Sequence, residues 1–315
     1  MADLDRLVAM LKGAGEETRL RLLALLSRGE LPVKDLTEIL GQSQPRVSRH
    51  LRLLVEAGLV VRHAEGAWAY FGLCDEGEAG RLVGTIVGDI CPRDPRVAGD
   101  REALKRVREK QQRRAEAYFA KVAGSWDALR RLHVSEAAIE ESILEVLGGH
   151  KVSRLLDLGT GTGRMLELLA PLYDHGIGVD LSRDMIGVAR AKLAGAGLTH
   201  AQVRLGDILD LESGAPVDLV TLHQVLHYFD DPGRVLESAA AQLVAGGRMV
   251  VVDLAPHDLE FLRTEHAHRR LGLSREQMQA WARGAGLKIL RVVEHARPEH
   301  GQGLKVCLWL LEKTE

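Results

Sequence analysis

Apolar positions recur at helical spacing from the first residues onward. Leu4, Leu7, Val8 and Leu11 step along one face, and Leu20, Leu23 and Leu26 repeat the pattern. Val33 to Leu40 and Ser43 to Ala57 predict two more helices separated by Gly41-Gln42, with Gly58 placed to end the second. LVVRHA, a Glu65-Gly66 turn and AWAYFGL then read as a two-stranded hairpin, and a further helix follows over 75–89. After residue 150 the pattern changes. The apolar runs SRLLDL, GIGVDL, AQVRL, VDLVTL and RMVVVDL alternate with helical stretches, which predicts a doubly wound parallel sheet. LKILRVVE and LKVCLWLLE predict an antiparallel hairpin closing one edge, with Cys307 on an edge strand.

Length and charge divide the same pattern. A chain of 315 residues corresponds to about two domains. Its 46% hydrophobic and 27% charged content excludes a disordered or collagen-like chain. No apolar run approaches the roughly 18 residues needed to span a bilayer, and MADLDRLVAM lacks the basic-then-apolar order of a secretory signal. Cys74, Cys91 and Cys307 are few, odd in number and far apart, so a reducing cytoplasm is expected and a disulfide framework is not. The net charge of −2 conceals −2 over 1–90, +6 over 91–134 and −6 over 135–315. The break Cys91-Pro92-Arg93-Asp94-Pro95 interrupts any helix there. The expected domains are therefore 1–90, a helical connector over 91–134, and 135–315.

Three helices followed by a hairpin make a winged helix-turn-helix. In SQPRVSRHLRLL, Val47, Leu51, Leu54 and Val55 share one face, which leaves a polar face of Gln44, Arg46, Ser48, Arg49 and Arg52. Ser43 suits an N-cap and Pro45 the first turn. Gln reads adenine and Arg reads guanine in the major groove, while Ser or His holds phosphate. The candidate DNA-binding set is Ser43, Gln44, Arg46, Ser48, Arg49, His50 and Arg52, with Arg62 on the wing. The window 41–74 is locally +2, although 1–90 as a whole is acidic.

This block resembles the ArsR/SmtB family of winged-helix repressors over about residues 3–90, most specifically in SQPRVSRHLRLLVEAGLV. The resemblance implies a homodimer held by the first and last helices on a palindromic double-stranded DNA operator. Metal-sensing members carry a Cys-Val-Cys triplet where this chain has Leu31-Pro32-Val33-Lys34-Asp35-Leu36, and the helix 75–89 has no His. No metal is expected. The alternative is a winged helix that only dimerises, as in some small-molecule O-methyltransferases.

The second block carries Asp157-Leu158-Gly159-Thr160-Gly161-Thr162-Gly163, a strand ending in an acid and turning through alternating glycines into a helix. The spacing differs from the dinucleotide fingerprint, and the Lys-Ser/Thr of a triphosphatase loop is missing. Asp180 ends the next strand, where a carboxylate can accept both ribose hydroxyls. Asp207 with Ile208 follows the third strand, where the Asp can accept an adenine amino group, and His223 ends the fourth.

These four markers resemble the class I S-adenosylmethionine-dependent methyltransferases, over about residues 115–315. The resemblance implies a Rossmann-like domain that binds S-adenosylmethionine or S-adenosylhomocysteine. Gly159, Thr160, Gly161 and Gly163 would lie under the methionine part, Asp157 near its amino group, Asp180 on the ribose, and Asp207 with Ile208 at the adenine. Leu181, Met185 and His223 complete the implied cofactor-binding set. Tyr118 and Trp126 lie in a stretch that resembles the leading helix of ubiquinone-biosynthesis-type methyltransferases; a ring there sits over the sulfonium or packs in the core.

Methyl transfer needs alignment and a base for any proton released, so His223, His227 and His257 are the catalytic candidates. Residues 259–281, with Arg269, Arg270 and Trp281, are expected to cover the substrate side. A methyl acceptor of small-molecule type is implied, and too few cysteines surround the pocket for arsenite. Two functions remain open: a DNA-binding regulator whose second domain senses the adenosyl ligand, with or without methyl transfer of its own, or a small-molecule methyltransferase that uses the winged helix to dimerise.

Overall fold

The protein is described here by a computed structural model covering residues 4–65, 68–74, 77–122, 136–211, 214–296 and 304–314, without the side chains of 63–65, 68, 108, 111–112 and 114–122. The chain divides into two compact units, Met1–Arg113 and Arg114–Glu315.

The first unit runs α1 (Leu4–Ala14), α2 (Glu17–Leu26), β1 (Leu31–Pro32), α3 (Val33–Leu40), α4 (Gln44–Glu56), β2 (Val60–Glu65), β3 (Trp68–Leu73) and α5 (Gly77–Asp89). Gly41 ends α3 in the left-handed region (φ 61°), and Gly58 lies just past α4 with φ 72°. Those conformations suit glycine; Gly41 sets the turn between α3 and α4, and Gly58 the exit from α4 toward β2. Val47, Leu51 and Leu54 of α4 are fully buried against Leu22, Leu23 and Leu36 in one core. The three-stranded sheet has the order β1-β3-β2, with β3 antiparallel to both neighbours.

After the proline-bounded break comes α6 (Pro95–Val122), which runs across the division between the units. Its first half is built into the first unit. Leu104 and Val107 enter that core, and Asp100 accepts a forked pair of bonds from Arg21 at 2.8 and 2.7 Å. Lys110 reaches Glu38 of α3 at 3.1 Å. The basic stretch is therefore docked along one face, because apolar residues and one acid recur at helical spacing among its charges.

In the second unit, α7 (Glu136–Leu147) precedes a seven-stranded sheet of order β6-β5-β4-β7-β8-β10-β9. Its strands are β4 (Val152–Leu158), β5 (Tyr173–Asp180), β6 (Ala201–Leu205), β7 (Val217–His223), β8 (Leu243–Leu254), β9 (Leu287–His295) and β10 (Val306–Lys313). The helices between them are α8 (Arg164–Leu168), α9 (Arg183–Gly195), α10 (Pro232–Ala241), α11 (Phe261–Glu265) and α12 (Arg275–Gly284). β4 through β8 are parallel, and β10 is antiparallel to β8 and β9. β10 lies between β8 and β9, so Cys307 is buried inside the sheet and not on its edge. Burial pushes its thiol up to about 11.

Two cores sandwich this sheet, one under α7 and α9 and one under α10 and α12. Chain order reverses between β4 and β7, which creates a crevice beyond the carboxyl ends of those strands.

Candidate functional site

On α4, Ser43, Gln44, Arg46, Ser48, Arg49 and Arg52 are exposed, as is Arg62 on β2. The burial of Val47, Leu51 and Leu54 turns this opposite face outward. Arg46 and Arg49 have no acidic partner among the described residues, whereas Arg52 lies 3.6 Å from Glu56. Ser43 occupies the N-cap without a side-chain bond to the helix. His50 departs from the expected set. Its ring turns inward to lie 3.4 Å from Glu16 at the start of α2, and desolvation lowers its pKa despite that carboxylate.

In the second unit the glycine loop follows β4, with φ of 70°, 52° and 82° at Gly159, Gly161 and Gly163. A Cβ at Gly159 would sit 2.5 Å from Val225 Cγ2, so only glycine lets the β7 exit close over the loop. The loop is tied across to β5: Gly161 N donates to Asp180 Oδ2, and Ser182 N to Asp180 Oδ1, both at 2.8 Å. Desolvation raises the Asp180 pKa while these backbone donors oppose the rise.

The other cofactor candidates take different places. Asp157 is 1% exposed and accepts the hydroxyls of Thr160 at 2.6 Å and Thr221 at 2.7 Å. These bonds brace the loop, and Thr160 is buried with it. Asp207 Oδ1 accepts Leu209 N at 2.9 Å, and Ile208 is buried beside it. Leu181 is partly exposed, as is Leu209, while Met185 is buried. The side chains of Tyr118 and Trp126 lie outside the described residues.

Of the histidines, His223 ends β7 at the crevice and His257 accepts Leu259 N at 3.2 Å. His227, in a 3-10 turn over Leu226–Tyr228, is buried with Nδ1 2.7 Å from Asp253 Oδ1. Asp253 is the penultimate residue of the RMVVVDL run and reads as an ordinary strand residue; only its acid in an apolar strand signals a partner. Between them, Gln224 holds a positive φ of 55°, a strained conformation for a residue with a Cβ, at the mouth of the crevice. In the expected cover, Arg269 pairs with Asp230 at 2.6 Å, and the fully buried Arg270 guanidinium lies 5.3 Å from the Trp281 ring centroid.

Comparison with known proteins divides the chain as its structure does. The family described as "Methyltransferase domain" matches residues 150–303, and "Bacterial regulatory protein, arsR family" matches residues 16–61. The chain is similar to arsenical resistance operon repressors of Escherichia coli (strain K12) and Bacillus subtilis (strain 168). The first is 46% identical over 67 residues, 21% of this chain and 57% of the repressor; the second is 38% identical over 81 residues, 25% and 73%. It is similar to the ubiquinone biosynthesis O-methyltransferase of Xylella fastidiosa (strain 9a5c), 31% identical over 152 residues, 44% of this chain and 61% of that enzyme. The chain thus spans 57% and 61% of the length of the first curated relatives it matches. The N-methyltransferase NodS of Bradyrhizobium japonicum WM9, solved with S-adenosyl-L-homocysteine, shares the fold: TM-score 0.54 at 19% identity, covering 64% of this chain and 99% of NodS. The chain belongs to the arsR family of bacterial regulatory proteins and joins an arsR-type DNA-binding region to a methyltransferase domain of the S-adenosylmethionine-dependent fold.

Proposed function

We propose that this protein is a homodimeric transcription regulator whose methyltransferase domain holds S-adenosylmethionine or S-adenosylhomocysteine and adjusts operator binding to it, while retaining methyl-transfer activity. The single observation that supports the reading is that one chain carries two candidate binding faces. One is the outward arginine face of α4, with Arg46 and Arg49 unpaired; the other is the loop-and-carboxylate arrangement of Gly161 and Asp180.

The residues present fit an adenosyl group. Asp180 is pre-set by two backbone N–H groups and keeps lone pairs for ribose hydroxyls. Leu181 follows Asp180 and Leu209 is bonded to Asp207, and both keep exposed apolar surface suited to an adenine ring. Bound there, the sulfonium supplies an activated methyl group; the chain's part is to orient the acceptor and accept its proton.

The dimer reading rests on α1. Leu4, Leu7, Val8 and Leu11 form an exposed apolar stripe, with Leu4 at 75%. A second copy is the proposed cover. α6 is the proposed route of coupling, since it is fixed to α2 by Asp100–Arg21, to α3 by Lys110–Glu38, and continues past Arg113. A double-stranded operator places this function in the cytoplasm. No described helix is long and apolar enough to cross a membrane.

Calorimetry with each adenosyl compound tests the pocket, and anisotropy with a duplex from upstream of the protein's own gene tests the reader. Binding of both is expected. Heat with neither compound contradicts the proposal, as does DNA affinity unaffected by removing Arg46 and Arg49.

A further inference from the structure

The methyltransferase unit holds a buried pair that the adenosyl site does not use. His227 Nδ1 lies 2.7 Å from Asp253 Oδ1, with side chains 3% and 0% exposed. Asp253 also accepts the N–H of Leu226 at 2.9 Å and of Leu254 at 2.7 Å. A carboxylate surrounded by donors acts as acceptor toward the ring as well, so the imidazole proton belongs on Nδ1 and the lone pair on Nε2. Nε2 is buried and has no hydrogen-bond partner among the described residues. A buried acceptor nitrogen without a protein partner is open to a water or a ligand, and here it is the nitrogen opposite a carboxylate-held N–H.

A purely structural role explains less. The backbone bonds from Leu226 to Asp253 already fasten the β7 exit to β8, and they need no imidazole. What the ring adds is a basic nitrogen in a fixed tautomer. β7 and β8 are adjacent parallel strands with His223 paired to Val252, so the pair stands at the carboxyl edge beside the crevice. The rings of Tyr228 and His268 lie 4.1 Å from that of His227. His268 belongs to the segment that follows α11, preceded by Ala267 at φ 58° and followed by Gly272 at φ 89°. Because Nε2 is buried, an acceptor reaches it only when the residues that cover it shift.

We propose that His227 is the catalytic base for a hydroxyl acceptor and Asp253 its positioning residue. This rests on the reading of the unit as a methyltransferase that holds an adenosyl donor. His227 Nε2 takes the acceptor's O–H proton while an oxygen lone pair forms the bond to the methyl carbon. The methyl–sulfur bond breaks with its electron pair left on sulfur, and the imidazolium then returns its proton to solvent. A neutral primary amine loses its proton after transfer and gains little from such a base, so the arrangement selects for hydroxyls.

The test uses the full-length protein. Nitrogen-15 NMR of histidine-labelled wild type is expected to show His227 protonated at Nδ1 and bare at Nε2, and Asp253→Asn to lose that tautomer. S-adenosylhomocysteine affinity of His227→Gln should stay within about threefold of wild type by calorimetry. Methyl transfer to a catechol or a primary alcohol, followed as S-adenosylhomocysteine formed, should fall by about 100-fold or more in His227→Gln, while a primary amine is a poor acceptor throughout. A wild-type proton on Nε2 overturns the proposal. So does an undiminished rate in His227→Gln, or wild-type transfer to the amine alone or to none of the probes. Failure of wild type to bind S-adenosylhomocysteine instead overturns the reading beneath it. Should Asp253→Asn fail to fold, the wild-type tautomer and His227→Gln decide the matter.

Discussion

Asp180 Oδ2 accepts the Gly161 N–H at 2.8 Å, so the acid that ends β5 holds the loop that follows β4 in shape. One carboxylate thus links two strands of the crevice, and the candidate ribose acceptor also organises the candidate methionine cradle. Asp180→Ala removes both roles. S-adenosylhomocysteine affinity should fall by about 10- to 100-fold, the range for hydrogen bonds to a charged group, as read by calorimetry. Undiminished affinity would detach Asp180 from the site.

Gly159→Ala tests the loop by shape alone. The added methyl meets Val225 Cγ2 at 2.5 Å, in a backbone conformation with φ 70° that L residues resist. The expected cost is about 1–3 kcal/mol of stability in the second unit, with weakened nucleoside binding. Differential scanning calorimetry reads it as a lowered transition for that unit.

The arginine face makes a separate prediction. Arg46→Ala and Arg49→Ala should each weaken specific DNA binding by about 1–3 kcal/mol and flatten its salt dependence. Nucleoside binding should not change. If anisotropy shows no loss on DNA and turnover persists, the winged helix serves dimerisation and the small-molecule enzyme reading replaces the regulator.

Cys307 supplies a pH signature. Its folded thiol is pushed up to about 11 from an ordinary value of 9.0, chiefly by desolvation. Between those values the folded chain keeps a proton that the unfolded chain has lost, so stability falls as pH rises. The loss is on the order of 2 kcal/mol, complete near pH 11 and absent below pH 9. Cys307→Ser should flatten that limb in denaturant titrations. At pH 8 a thiol reagent should label the exposed Cys91 and spare Cys307 until unfolding.

Much of this is legible in the sequence. The leucines of α2 and α4 located the helix-turn-helix, because a buried stripe and an exposed basic face leave a 3.6-residue signature. The acids ending β4 and β5 located the crevice, because parallel strands place their ends on one rim. The expectation that Cys307 lies on an edge strand fails, since a hairpin does not state which arm faces outward. A signal existed: VCLWLL is continuously apolar, as a doubly covered strand must be, whereas LKILRVVE mixes charges into its run. Asp157 shows its position in the sequence but not its hydrogen-bond partners, of which Thr160 is three residues away and Thr221 is 64. Asp253 and Asp100 escaped notice because their partners lie 26 and 79 residues away, beyond any local pattern.

The central claim is that both binding faces belong to one coupled device. Operator affinity measured by anisotropy, with and without saturating S-adenosylmethionine or S-adenosylhomocysteine, tests it most directly. A change of about 5- to 150-fold with at least one compound, abolished by Asp180→Ala, is the predicted result. Identical affinity with and without either compound, while calorimetry shows the pocket filled, would contradict it.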